Sequence, residues 1–88
     1  MDVIATIKIS NGDFDDWLEF FRSYELLRHE FVENEIITQI SSSMAEVSFT
    51  IIDIDGLTEL SGSQLLRDGE ERLGISVEIK KKLNEELI

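Results

Sequence analysis

Two runs of β-type sequence flank one aromatic helical stretch, and both place apolar residues on both sides of the strand. From Val3 to Ile9 the odd positions Val3, Ala5, Ile7 and Ile9 are apolar, while the even set Ile4, Thr6 and Lys8 is mixed. From Val47 to Ile54 one side reads Val47, Phe49, Ile51 and the other Thr50, Ile52, Ile54. Side chains alternate across a strand, so a strand apolar on both sides requires cover on both. A chain of 88 residues has room for about two helices, enough for one face of a small sheet. The second face then requires another subunit or a ligand.

The remaining elements follow in order. Ser10-Asn11-Gly12 signals a turn. Asp13 has the character of an N-cap, with Asp15 and Asp16 in the first turn where acids suit the helix dipole. Phe14, Trp17, Leu18 and Phe21 then recur at helical spacing. Ser23 is a candidate cap for a second helical piece, Tyr24 to Phe31, with Leu27 and Phe31 four apart. The polar stretch Glu33 to Glu35 leads to a strand from Ile36 to about Ser41, and Ser42, Ser43 and Met44 form the predicted hairpin turn. The third strand runs from about Glu46 to Ile54 and ends at Asp55-Gly56.

A helical region follows from Leu57 to Leu73, interrupted at Ser61-Gly62, with Ser63 as a second candidate N-cap. Leu65, Leu66 and Leu73 supply its apolar face, and Gly74 before Ile75 is a C′ glycine. The last segment fits two patterns. Ile79, Leu83 and Leu87 have helical spacing, whereas Val77 and Ile79 favour a strand. The preceding order favours a strand near Ser76 to Leu83. The result is β-α-β-β-α-β, the ferredoxin-like arrangement, with one four-stranded antiparallel sheet and helices on one face. Strands one and three, the most apolar, take the centre. Lys80, Lys81 and Lys82 guard an edge.

Composition narrows the function classes. The length fits one domain over residues 1–88, marginal alone and helped by association. The net charge of −11 disfavours nucleic acid and anionic membrane surfaces, both of which require Lys and Arg. An acidic chain can instead mimic DNA or dock on a basic protein, although solubility is the simpler account. Absence of cysteine leans toward a reducing compartment. With no visible signal peptide and no apolar stretch near the roughly 18 residues that cross a bilayer, a cytoplasmic location is expected.

The opening Val3-Ile4-Ala5-Thr6-Ile7-Lys8-Ile9-Ser10, followed by Asp13-Phe14-Asp15-Asp16-Trp17 and Phe21, resembles the dimeric α/β-barrel superfamily. That superfamily includes small monooxygenases and stress-responsive barrel proteins, and the likeness is to a small cyanobacterial-type branch. It is best over residues 2–31 and rests on the Phe-x-x-Trp-x-x-x-Phe pattern. The resemblance implies two sheets packed face to face across a two-fold axis, which would make the chain a homodimer through its open sheet face. It also implies a pocket between sheet and helices. It transfers no catalytic residue.

Trp17, Tyr24 and His29 are the candidate pocket-lining residues. Trp17 sits on an amphipathic stripe, a position that more often belongs to a core. Tyr24 lies nearer the helix break and is the better pocket candidate of the two. His29 is the sole histidine and the natural proton carrier near neutral pH, or a haem ligand. Its neighbours Arg28 and Glu30 make a surface helix histidine the better account. Asn11, Asp13 and Asp15 have the one-three-five spacing of a calcium loop. Asp16 and Arg22 then stand where Gly and Glu are required, so no metal is expected. No cofactor fingerprint is present.

Three readings follow. The first is a small acidic homodimer that binds or regulates, since no acid, base and electrophile converge in the sequence. The second is a cofactor-independent oxygenase or isomerase acting on a small apolar molecule. The third is an acidic protein-interaction module. Leu73-Gly74-Ile75 with Lys80 to Leu83 resembles the end of a sterile-alpha-motif domain, an all-helical fold in which the stretch from Glu46 to Ile54 has no place.

Overall fold

The structure is a computed structural model, described over residues 1–81. The strands are β1 (Asp2–Ile9), β2 (Val32–Ser41), β3 (Met44–Ile51) and β4 (Ile75–Lys81). The helices are α1 (Phe14–Ser23), α2 (Glu25–Arg28), α3 (Ile54–Ser61) and α4 (Gln64–Leu73). The sheet order is β2-β3-β1-β4 with every neighbouring pair antiparallel. This is the ferredoxin-like α+β arrangement, with β1 and β3 central. The all-helical alternative fails on the four strands.

Alternation on β1 sets the layers. Val3, Ala5, Ile7 and Ile9 are buried, and the last three share a core with Trp17, Phe20, Phe21, Leu66 and Leu73. Asp13 starts α1 with a reciprocal capping box. The Asp16 amide donates to Asp13 Oδ1 at 2.9 Å, and the Asp13 amide donates to Asp16 Oδ2 at 3.1 Å. Gly74 ends α4 at φ 62°, a left-handed cap suited to glycine. The β1–α1 loop then satisfies the last carbonyls of α4. The Ser10 and Asn11 amides donate to Gly74 and Leu73 at 3.0 and 2.9 Å, and Asn11 Nδ2 donates to Arg72 at 2.8 Å. Asn11 and Asp13 are thus spent on caps rather than on a calcium loop. Among the described residues no three His, Cys, Asp or Glu side chains converge as a metal site.

Several expected boundaries move. The third strand stops at Ile51, and Asp53 caps α3 by accepting from the Gly56 amide at 3.1 Å. Ile52 and Ile54 therefore lie beyond the strand, exposed. The second side of β3 is Met44, Glu46, Ser48 and Thr50, so the doubly apolar strand is not formed. The hairpin turn is the two residues Ser42-Ser43. The last strand is seen from Ile75 to Lys81; its expected end at Lys82 and Leu83, and Leu87 of the helical alternative, lie outside the described residues.

The second helical piece is one turn long, and its faces are the reverse of the expected ones. Arg28 is buried while Leu27, expected on the apolar face, is 46% exposed. Likewise Leu65 of α4 points outward, leaving Leu66 and Leu73 inside. Glu33 to Glu35 belong to β2, where the register slips between Glu33, opposite Thr50, and Ile36, opposite Ser48. Asn34 and Glu35 together oppose Phe49 in a β-bulge, with Asn34 at φ 57°. Asparagine tolerates that left-handed conformation better than most residues. The bulge turns Glu35 toward the helices.

Candidate functional site

Beneath the helices the core is incompletely filled. A cavity of about 110 Å³ lies between the sheet, with Ala5 and Val47, and the helical layer, with Trp17, Phe20, Tyr24 and Leu66. It reaches β4, where Val77 and Ile79 line it and are themselves exposed. Edge strand β4 lacks full helical cover, and that gap is the mouth.

Trp17, Phe21, Tyr24 and Arg28 follow one another at steps of four, three and four, so one helical face carries them all. The Trp17 and Phe21 rings stack with centroids 4.8 Å apart, and Phe20 meets Tyr24 edge-on at 5.2 Å. Arg28, 4% exposed, lies over Phe21 with its Cζ 3.5 Å from the ring centroid. Its Nε and Nη2 donate to Glu35, and its Nη1 donates to the Phe21 carbonyl. Three of the five guanidinium N–H groups are thereby engaged, with the Phe21 ring against the group.

Glu35 also meets His29, whose Nε2 lies 2.8 Å from Oε1. Burial pushes the Glu35 carboxyl up, but hydrogen bonds and charge from Arg28 and His29 outweigh it and hold it below the ordinary value. Tyr24, 8% exposed, is pushed up to about 12, chiefly by burial. It remains a neutral phenol. Glu70, on α4 beside Gly69, also lines the cavity, and burial raises its carboxyl above the ordinary value. Among the described residues neither Tyr24 Oη nor the Glu70 carboxylate has a hydrogen-bond or ion-pair partner. The cavity is therefore an apolar, aromatic-walled space with one neutralised ion pair, one free phenol and one free carboxyl.

Of the residues singled out in the sequence, Trp17 and Tyr24 line this cavity. His29 does not. Its side chain is 46% exposed and reaches the site only through Glu35. Arg28, Glu35 and Glu70 were missed. Arg28 continues the aromatic stride one step beyond Tyr24, and Glu70 stands between Leu66 and Leu73 at steps of four and three; both spacings were readable. Glu35 carried no such signal, because the bulge decides where it points.

No protein-family model matches the chain, and no curated protein matches it. Solved structures do. A protein of Caulobacter crescentus CB15, provisionally named an antibiotic biosynthesis monooxygenase, superposes with a TM-score of 0.63 at 13% identity, over 94% of this chain and 89% of that one. SnoaB, a cofactor-independent oxygenase from Streptomyces nogalater, gives a TM-score of 0.63 at 4% identity, over 94% and 92% of the two chains. A protein of Deinococcus radiodurans with the same provisional name gives 0.59 at 3% identity, over 96% and 94%. The chain has the fold of these proteins. At such identities the likeness concerns fold alone. Among the described residues no helix is long and apolar enough to cross a membrane.

Proposed function

We propose that this chain binds a compact, mainly apolar molecule in the cavity between sheet and helices. The carrying observation is the cavity itself, about 110 Å³ of aromatic- and aliphatic-lined space with an opening at β4. An apolar cavity of about 150 Å³ admits benzene; at about 110 Å³ this smaller but open space suits a short branched chain, or a single ring that reaches into the opening. Few polar groups in an otherwise apolar pocket is the usual composition of a ligand site. The test is a titration of the chain with small aromatic and branched aliphatic compounds, followed by nuclear magnetic resonance. Saturable shifts at the Trp17 indole and at Phe20 are expected. Shifts confined to surface residues would sink the reading.

Cofactor-independent oxygenation is the second reading, favoured by Glu70 as an unpaired carboxyl of raised proton affinity in an apolar site. A base there takes a proton from a substrate CH2, and the anion reacts directly with dioxygen. One oxygen atom enters as a carbonyl and the other leaves as water, with the substrate supplying the electrons. Oxygen uptake with a bound, activated CH2 compound, lost in Glu70→Gln, supports it. Binding without uptake leaves a binding protein.

The chain also presents an open sheet face suited to a second copy. Ile4, Ser48 and Ile36 line up across β1, β3 and β2, and Ile36 is 63% exposed. Glu46 stands between Thr6 and Thr38, and Glu33 lies opposite Thr50, so charge borders this short apolar strip. A two-fold pairing of this face, in a reducing cytoplasm, is the assembly we propose. A solution mass twice that of the chain is the expected observation.

A further inference from the structure

We infer that the cavity selects a compact primary amine, held with its ammonium on Glu70 and its apolar body among the Trp17, Phe20 and Tyr24 rings. The inference rests on the cavity reading above and adds the chemistry of the ligand.

The charges that face the cavity are Arg28, Glu35 and Glu70, with Tyr24 as the one further titratable group. Arg28 and Glu35 cancel. The guanidinium gives Nε and Nη2 to Glu35 and Nη1 to a backbone carbonyl. Its charge is already matched by Glu35, which leaves little net attraction for a ligand anion. Glu70 is different. Among the described residues it has neither ion pair nor hydrogen bond, so the cavity lining includes one unpaired, partly buried carboxylate. A partly desolvated carboxylate without a protein partner gains from a ligand that brings positive charge.

Three ligand chemistries compete for that position. A carboxylate meets Glu70 with like charge, and among the described residues the one cation lining the cavity, Arg28, is already paired with Glu35. A neutral alcohol supplies one ordinary hydrogen bond. A primary ammonium supplies a charge-assisted bond, the stronger kind, together with further N–H donors for the Tyr24 oxygen. The aromatic walls favour the same ligand, because ring faces attract cations when water is excluded. The chain as a whole, at net charge −11, draws cations toward it. Volume sets the remaining limit, since about 110 Å³ excludes polycyclic bodies.

The test compares compounds of nearly equal size in which only the polar group changes. Benzylamine, benzyl alcohol, ethylbenzene and benzoate are titrated into the full 88-residue chain at about pH 8. Binding is read from the Trp17 indole and Phe20 resonances. Benzylamine is expected to bind about tenfold or more tightly than benzyl alcohol and ethylbenzene, with benzoate weakest. In Glu70→Gln the amine advantage should fall to within about twofold, with ethylbenzene unchanged. Glu71→Gln, an exposed neighbour, should keep the advantage and so exclude attraction by the acidic surface alone. Equal or tighter binding of the alcohol or ethylbenzene overturns the inference and leaves the cavity reading standing. No cavity shift with any of the four compounds overturns both. An amine preference that survives Glu70→Gln, in a variant whose circular dichroism is unchanged, overturns the assignment to Glu70.

Discussion

Arg28 on the single-turn helix α2 and Glu35 in the bulge of β2 form a forked ion pair beneath the helical layer, and each holds the other in place. Both side chains are nearly excluded from water, at 5% and 9% exposure. The pair therefore fastens two irregular elements, neither of which has much intrinsic stability. Removing one member strands a buried charge. Arg28→Leu is expected to cost about 3–5 kcal/mol in urea unfolding. The double variant Arg28→Leu with Glu35→Leu should recover much of that, because nothing charged is then left behind. A double variant no more stable than the single one would show that the pair matters through geometry alone.

The two carboxyls of the site should tilt stability with pH in opposite directions. Glu35 is held below its ordinary value of 4.5, so as pH falls the unfolded chain takes the proton first. Its contribution is complete above the unfolded value and is lost as pH falls through the folded one. Glu70 is raised, so the folded chain takes that proton first, and stability falls as pH rises from the unfolded value through the folded one. Urea midpoints measured from about pH 3 to about pH 7 should show the acid-side loss flattened in Glu35→Gln. The same series should show the loss on rising pH removed in Glu70→Gln.

Gly69 is where α1 meets α4. A Cβ built there would stand 2.0 Å from Phe20 Cε1 and 2.3 Å from Cζ. In a helix interior alanine is preferred over glycine by about 1 kcal/mol, but displacing a packed ring typically costs about 1–3 kcal/mol. The clash should win. Gly69→Ala is expected to lower the melting temperature, and Phe20→Leu in the same chain should make the alanine less harmful. A stabilised Gly69→Ala would mean that the Phe20 ring moves freely into the cavity.

The open sheet face makes its own forecast. Ile36→Glu sets a charge at the most exposed apolar position of that face and should convert a dimer to a monomer by sedimentation or light scattering. Because Ile36 points away from the cavity, ligand-induced shifts at Trp17 should persist. A wild-type monomer at high concentration would remove this face from consideration.

Much of the fold was readable because its signals are local. The Asp13 cap, the Phe14-to-Phe21 spacing, the Gly74 stop and the alternation on β1 each depend on a few adjacent residues. What was misread depends on distant partners. Leu27 and Phe31 look like a helical face, yet Arg28 is the buried residue of that turn because Glu35 and the Phe21 carbonyl receive it. Ile52 and Ile54 look like strand residues, yet Asp53 caps a helix between them. Of the site, the aromatic wall was legible through Trp17 and Tyr24. Its polar members were not, since a Glu or Arg on a helix reads as solvated until its neighbours are known.

The bulge at Asn34 has a wider consequence. Before it, β2 is read in one phase, with Val32 inward and Glu33 outward; after it, Ile36 is outward and Ile37 inward. One inserted residue thus shifts the strand's reading frame partway along its length. Plain alternation through Asn34, without the bulge, would turn Glu35 to the open face and carry Ile36 into the cavity wall. The ligand space and the outer surface are therefore set together by one asparagine.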